Sequence, residues 1–243
     1  QKIKELLRSK IASASALLMV SMTVVNAGNY VYNLIMGRWL GPSLFADLSL
    51  IVTLLLIVTF ITAPIQMTTA RYTAIHAADA DVKTLASIRR FIWRIAAMLG
   101  LTLTVLFATF APLLQSFFHT QSFLPFIIFG AALPFSLLQG VERGILQGRT
   151  HFKVLAISYQ VEMWTRLFVS IILVALGLSV NGAVIGISLS FFATWLTARL
   201  AVRDLFTKED IQTELRKELF AFAVPVLVSQ LGQILINNSD ILI

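Results

Sequence analysis

Apolar residues run in long blocks along this chain, and the ionisable ones are confined to the gaps. Residues 11–37 and 48–70 contain no Asp, Glu, Lys or Arg, 95–141 and 167–198 contain none over longer stretches, and 219–239 closes the series. A helix needs about 20 apolar residues to cross the hydrocarbon core, so each of the two long blocks has room for two crossings. Turn signals divide them: "APLLQSFFHTQSFLP" near 112–125 and "LGLSVNGA" near 176–183. The pattern predicts helices near 13–37, 44–70, 91–112, 123–148, 154–177, 183–202 and 219–243, which is six crossings and a seventh.

Composition supports the pattern. Hydrophobic residues are 58% of the 243, charged residues 13%, and the mean hydropathy is +0.85, which describes an all-α polytopic membrane protein and not a soluble domain. The net charge of +7 could suggest nucleic acid, but 17 of the 19 Lys and Arg fall on one side of the predicted spans. Such a bias marks the cytoplasmic face. No nucleic-acid partner is therefore needed, and the chain reads as a multi-pass cytoplasmic (inner) membrane protein with its amino terminus inside. Cysteine is absent, which excludes disulfides and thiolate chemistry. The first apolar stretch exceeds a signal-peptide core and is read as a retained span.

Two short pieces at that face have interfacial character. "KIKELLRSK" sets Ile3, Leu6 and Leu7 among basic residues, and "TKEDIQTELRKELF" offers a capping-box pattern from Thr207 to Asp210 before Ile211, Leu215 and Leu219. The expected organisation is a six-helix bundle over 1–202, a connecting amphipathic segment over 203–218, and the first helix of a second bundle over 219–243.

That second bundle is suggested by a weak internal repeat. At an offset of 208, residues 17–35 pair with 225–243, with five identities in 19. The polar positions also correspond. Asn26, Asn29 and Asn33 lie on one helical face, Gln230, Gln233, Asn237 and Asp240 lie on another, and the two stripes coincide at Asn29 and Asn237. Duplicated bundles in membranes commonly belong to transporters with a pathway between the copies.

Three stretches then carry a resemblance. "NYVYNLIMGRWLGPSLFADLSLI", "LLQGVERGILQGRTHFKVLAISYQVEMWTRL" and "LVSQLGQILINNSDILI" resemble, in order and spacing, polysaccharide (O-antigen type) flippases of the multidrug/oligosaccharidyl-lipid/polysaccharide superfamily. The resemblance implies a MATE-like fold of two pseudo-symmetric six-helix bundles. It also implies movement of a polyprenyl-pyrophosphate-linked oligosaccharide across the membrane by alternating access, with polysaccharide-assembly proteins as partners. Because the sequence stops at Ile243, a fragment comprising the amino-terminal half and the first helix of the second half is expected. A cation-coupled drug exporter of the same fold and a non-transporting membrane scaffold or enzyme subunit remain the alternatives.

Candidate site residues are the polar groups inside spans. Glu162 and Arg166 are i, i+4 on the fifth span, with Tyr159 and Ser170 on the same face. Charges at such depth usually face a partner or a water-filled cavity. Either the two satisfy each other, or Arg166 contacts a phosphate or sugar acid while Glu162 positions it or takes part in ion coupling. Asn26, Asn29, Asn33, Gln66 and Asn237 either hydrogen-bond sugar hydroxyls or tie helices together. Thr59, Thr62 and Thr69 share a stripe with Gln66. Asp240 and Asp47 are further ion-coupling candidates, although Asp47 could pair with Arg38, which reads as an interface anchor beside Trp39. Gly140, Gly144 and Gly148 form overlapping GxxxG steps for close packing, and Glu142 and Arg143 between them are placed at the inner interface.

Other signals carry no chemistry. "DAD" at Asp79–Asp81 reads as solvated carboxylates, His76, His119 and His151 lack metal-ligand spacing, and the sequon at Asn237 lies in a predicted span. With no P-loop, nucleophile elbow or zinc signature, neither an enzyme nor a cofactor or metal is expected.

Overall fold

The computed structural model describes residues 2–78, 81–205 and 210–237, with side chains over 16–77, 81–205 and 210–230 and at Gly232. Its elements are α1 (Lys2–Ala78), α2 (Val82–Phe118), α3 (Leu124–Gly148), α4 (Phe152–Leu173) with a π-helical continuation Val174–Leu178, α5 (Ser179–Ala201) and α6 (Thr213–Asn237). There is no strand among the described residues.

Two of the apolar stretches are too long for a single crossing. At ~1.5 Å per residue, the 62 residues of α1 from Ala16 to Ala77 would measure about 90 Å, three hydrocarbon cores. Gly41 breaks the run: its φ of 72° and ψ of 173° are non-helical, and Pro42 follows without an N–H. Residues 152–201 divide likewise at Gly177, with φ 88°. Six membrane-length segments result, joined at the turns the hydropathy pattern predicts, and α6 follows.

Contacts give the directions. Ser21 lies against Ala156 and Asn29 against Arg166, so the first limb of α1 (2–40) runs parallel to α4. Thr62, Thr69 and Thr73 of the second limb (42–78) meet Gly140, Gly144 and Gly148 in turn, so that limb runs parallel to α3. The short turn after Gly148 makes α3 and α4 antiparallel, and hence the two limbs of α1 antiparallel as well. A Cβ at Gly144 would stand 2.6 Å from Thr69 Cβ and 2.7 Å from the Gln66 carbonyl oxygen. The GxxxG steps thus permit backbone approach, as expected. α3 occupies the centre: 67% of its apolar window is buried, against 11% for α2, whose Leu101, Val105 and Leu113 face outward.

Hydroxyls join the helices through backbone carbonyls. Thr104 donates to Gly130, Ser170 to Ala183 and Ser188 to Ile128, which in a bilayer replaces hydrogen bonds that no water could supply. Asp81 caps α2 by accepting from the Thr84 amide at 3.1 Å, and hydrogen bonds from Thr84 hold its carboxyl below the usual range. Half of the "DAD" stretch is therefore a helix start, while Asp79 lies outside the described residues.

Three expectations change. Glu142 and Arg143 are not snorkelling at an interface: they are 0% and 5% exposed. The segment 213–218 is not a separate surface helix, because α6 runs unbroken from Thr213 into the seventh span. Asp47 does not pair with Arg38. It accepts from the Gln121 amide at 3.1 Å and so fastens the α2–α3 turn to the start of the second limb. The capping-box Thr207 lies outside the described residues, whereas Asp210 pairs with Arg94 at 2.9 Å.

Candidate functional site

A cavity of about 350 Å³ opens between both limbs of α1, α3, α4 and Phe191 of α5. Its polar wall comes from four segments: Asn29 of the first limb, Thr59, Thr62 and Gln66 of the second, Ser136, Gln139 and Arg143 of α3, and Tyr159, Glu162 and Arg166 of α4. Met22, Val25, Leu55 and Leu56 make it apolar elsewhere.

Arg143 is the more tightly held cation. Its Nη2 lies 2.8 Å from Glu162 Oε2, its Nε and Nη2 donate to the Ser158 hydroxyl and carbonyl at 3.0 Å each, and its guanidinium sits 4.0 Å from the Tyr159 ring centre. A buried cation is stable when matched in this way. Gln66 Nε2 donates to Gln147 Oε1 at 3.1 Å and to the Tyr159 hydroxyl at 3.3 Å, which orients the wall.

Arg166 is held loosely. It donates to Asn29 Oδ1 at 2.7 Å and lies 5.9 Å from the Tyr32 ring centre, and no carboxylate pairs with it among the described residues. A guanidinium has five N–H donors. Most of its capacity faces the cavity, about 20 Å along α4 from Phe152. The cavity thus has two arginines and one carboxylate on its wall, and its net charge is positive.

The i, i+4 spacing of Glu162 and Arg166 left a self-satisfied pair open, and the structure separates them. Glu162 turns to Arg143 and Arg166 to Asn29, two partners from other helices. Of the remaining candidates, Tyr159, Asn29 and Gln66 line the cavity, while Asn26 and Asn33 are exposed beside it, Asn33 donating to the Asn29 carbonyl at 3.0 Å. Thr59 and Thr62 line the cavity too, whereas Thr69 and Ser170 are buried in helix contacts. Asp47 lies at the opposite end of the bundle from the basic turns and away from the cavity. α6 is described to Asn237, whose side chain, like all of Asp240, lies outside the described residues.

Sequence reading missed Ser136 and Gln139 and misplaced Arg143. The signal was there: 136, 139 and 143 follow i, i+3, i+7, the same spacing as the asparagine stripe. Two small residues among aromatics and leucines stood out less than a run of asparagines. Gln139 Oε1 is buried without a hydrogen-bond partner at the cavity wall, an acceptor available to a ligand or water.

A family model described as "polysaccharide biosynthesis protein" matches residues 11–243. Comparison with curated proteins yields no match. Among solved structures, an outward-facing multidrug resistance MATE family transporter of the MOP superfamily superposes with a TM-score of 0.75 at 21% identity, over 90% of this chain and 52% of that one. A MOP superfamily transporter from Pyrococcus furiosus, in which reverse polarity of the binding pocket suggests a different function, gives 0.74 at 20%, over 90% and 52%. A MATE in the straight conformation gives 0.77 at 21%, over 91% and 52%. The chain therefore has the MATE-like fold and spans about half the length of the transporters it matches.

Proposed function

The chain belongs to the polysaccharide biosynthesis protein family, and from that premise we propose that it works in a flippase carrying a polyprenyl-pyrophosphate-linked oligosaccharide across the cytoplasmic membrane by alternating access. In this proposal residues 1–202 are the first bundle, 203–218 the connection and 219–243 the start of a second bundle. The basic end, with the amino terminus, faces the cytoplasm.

One observation carries the reading: Arg166 stands in a cavity within an apolar bundle with Asn29 as its one hydrogen-bond acceptor and no acidic partner among the described residues. A cation in low dielectric attracts an anion strongly, and guanidinium suits phosphate oxygens by its planar fork. Asn29, Gln66 and Gln139 supply donors and acceptors for sugar hydroxyls. Glu162, held by Arg143, is a coupling site in which protonation would loosen Arg143 from α4. Asn237 and Asp240 remain candidates for the facing wall. A cationic drug as cargo is disfavoured by the excess of arginine over carboxylate in the cavity.

The test is Arg166→Ala in the full-length protein, reconstituted with a fluorescent lipid-linked oligosaccharide. Flipping should fall about tenfold or more, as for loss of a charge-assisted contact worth ~1.5–3 kcal/mol, with insertion and Tm retained. Wild-type flux would refute the assignment.

A further inference from the structure

Outside the cavity, α1, α2 and α6 enclose two adjoining depressions. One, of about 230 Å³, is lined almost entirely by apolar groups, including Pro64, Leu99, Ala223 and Leu227. The other, of about 440 Å³, carries Arg90, Arg94 and Arg216 against Asp210. Phe91, Ile95 and Phe220 line both, so they form one continuous channel. Its neck is the edge-to-face contact of Phe91 and Phe220, 5.8 Å between centres, with the Arg216 guanidinium 5.4 Å from the Phe91 ring.

The two ends differ in charge and suit an amphiphile. Asp210 lies 2.9 Å from Arg94 and 3.8 Å from Arg90, so one carboxylate serves a set of three guanidinium groups and a positive excess remains. The Arg94 side chain is 50% exposed and within reach of a ligand. Arg216 and Leu227 are about 16 Å apart along α6, close to half of the ~30 Å hydrocarbon core. The channel therefore measures one leaflet, with its charged end at the basic side of the bundle.

We propose that this channel binds an anionic glycerophospholipid of the leaflet at the basic end, its phosphate against Arg94 and Arg216 and one acyl chain in the groove between Pro64, Leu99 and Leu227. A lipid seated there bridges α2 and α6. It thereby fastens the seventh helix to the six that precede it, at a place separate from the central cavity.

The experiment is thermal unfolding of the full chain in neutral detergent, titrated with phosphatidylglycerol or phosphatidylcholine, with native mass spectrometry counting retained lipid. Phosphatidylglycerol should raise Tm saturably by several degrees and phosphatidylcholine should not, as binding to the folded state alone requires. The double variant Arg94→Gln/Arg216→Gln, on exposed positions, should keep the lipid-free Tm and lose the phosphatidylglycerol shift. Lys217→Gln, an adjacent exposed charge outside the channel, should keep the shift. Ala223→Trp, which fills the groove, should raise the phosphatidylglycerol concentration needed at least about tenfold, the equivalent of ~1.4 kcal/mol. Equal shifts from both lipids, or an unchanged response in the double variant, would overturn the site. Displacement of phosphatidylglycerol by equimolar polyprenyl pyrophosphate would overturn the occupant in favour of the carrier lipid.

Discussion

Glu142 and Arg143 are neighbours on α3 that belong to different charge clusters, and comparing the two clusters separates scaffold from site. Glu142 is wholly buried. It accepts from Arg89 Nε at 2.8 Å and lies 3.6 Å from Arg199 Nη1, while Arg89 also donates to the Leu205 carbonyl at 3.1 Å. That clamp joins α2, α3, α5 and the turn beyond α5, with no cavity at its centre. On the next residue, Arg143 is matched by Glu162 and Ser158, but the cluster continues to Arg166, whose donors are mostly unspent. The same residue types hold the bundle together where their hydrogen bonds are closed, and can receive a ligand where they are left open.

The largest effect should come from breaking the clamp. Glu142→Ala leaves two arginines around a buried void, and removing one partner of a buried pair costs about 3–5 kcal/mol. Tm and the yield of inserted protein should collapse, and wild-type stability in this variant would mean that the clamp is not what joins α2 to α5. Glu162→Gln should do less to the fold, because Arg143 keeps the Ser158 hydroxyl and carbonyl and the Tyr159 ring. The expected loss is about 1–2 kcal/mol, with transport altered more than Tm. A stability loss equal to that of Glu142→Ala would erase the distinction between the clusters.

The smallest effect belongs to a third pair, outside the membrane. Arg149 approaches Asp204 at 2.7 Å, and its hydrogen bond holds the Asp204 carboxyl below the ordinary aspartate range of about 3.8. A depressed folded-state value means that the pair's contribution is complete above the unfolded value and disappears as pH falls through the folded one. Half exposure keeps that contribution small. Tm of the wild type and of Asp204→Asn should differ slightly at pH 6 to 7 and converge toward pH 3. A gap that widens on acidification would contradict this.

Much of the fold was legible because the bilayer imposes a length on every crossing. Charge-free blocks located the six segments, and Gly41 and Gly177 turned the chain where the hydropathy pattern broke. Helix ends were less legible: α2 begins at Val82, well before the first apolar run, because a capped helix continues past the membrane surface. In the cavity, Asn29, Gln66, Tyr159, Glu162 and Arg166 were readable as polar groups out of place among apolar neighbours. Arg143 was not, since its position near a glycine-rich helix end looked interfacial until limbs of α1 and α4 closed around it.

By itself the sequence determined the number of crossings, the basic end and the helical faces that carry polarity. These follow from runs of hydropathy and from a turn of about 100° per residue, both local properties. Only the tertiary structure decided which partner each charge takes. Glu142 meets an arginine 53 residues away, and Arg166 meets an asparagine 137 residues away, in preference to the carboxylate one turn before it. Spacing along a helix states which side a residue faces, whereas the choice of partner is made by the helix packed against that side.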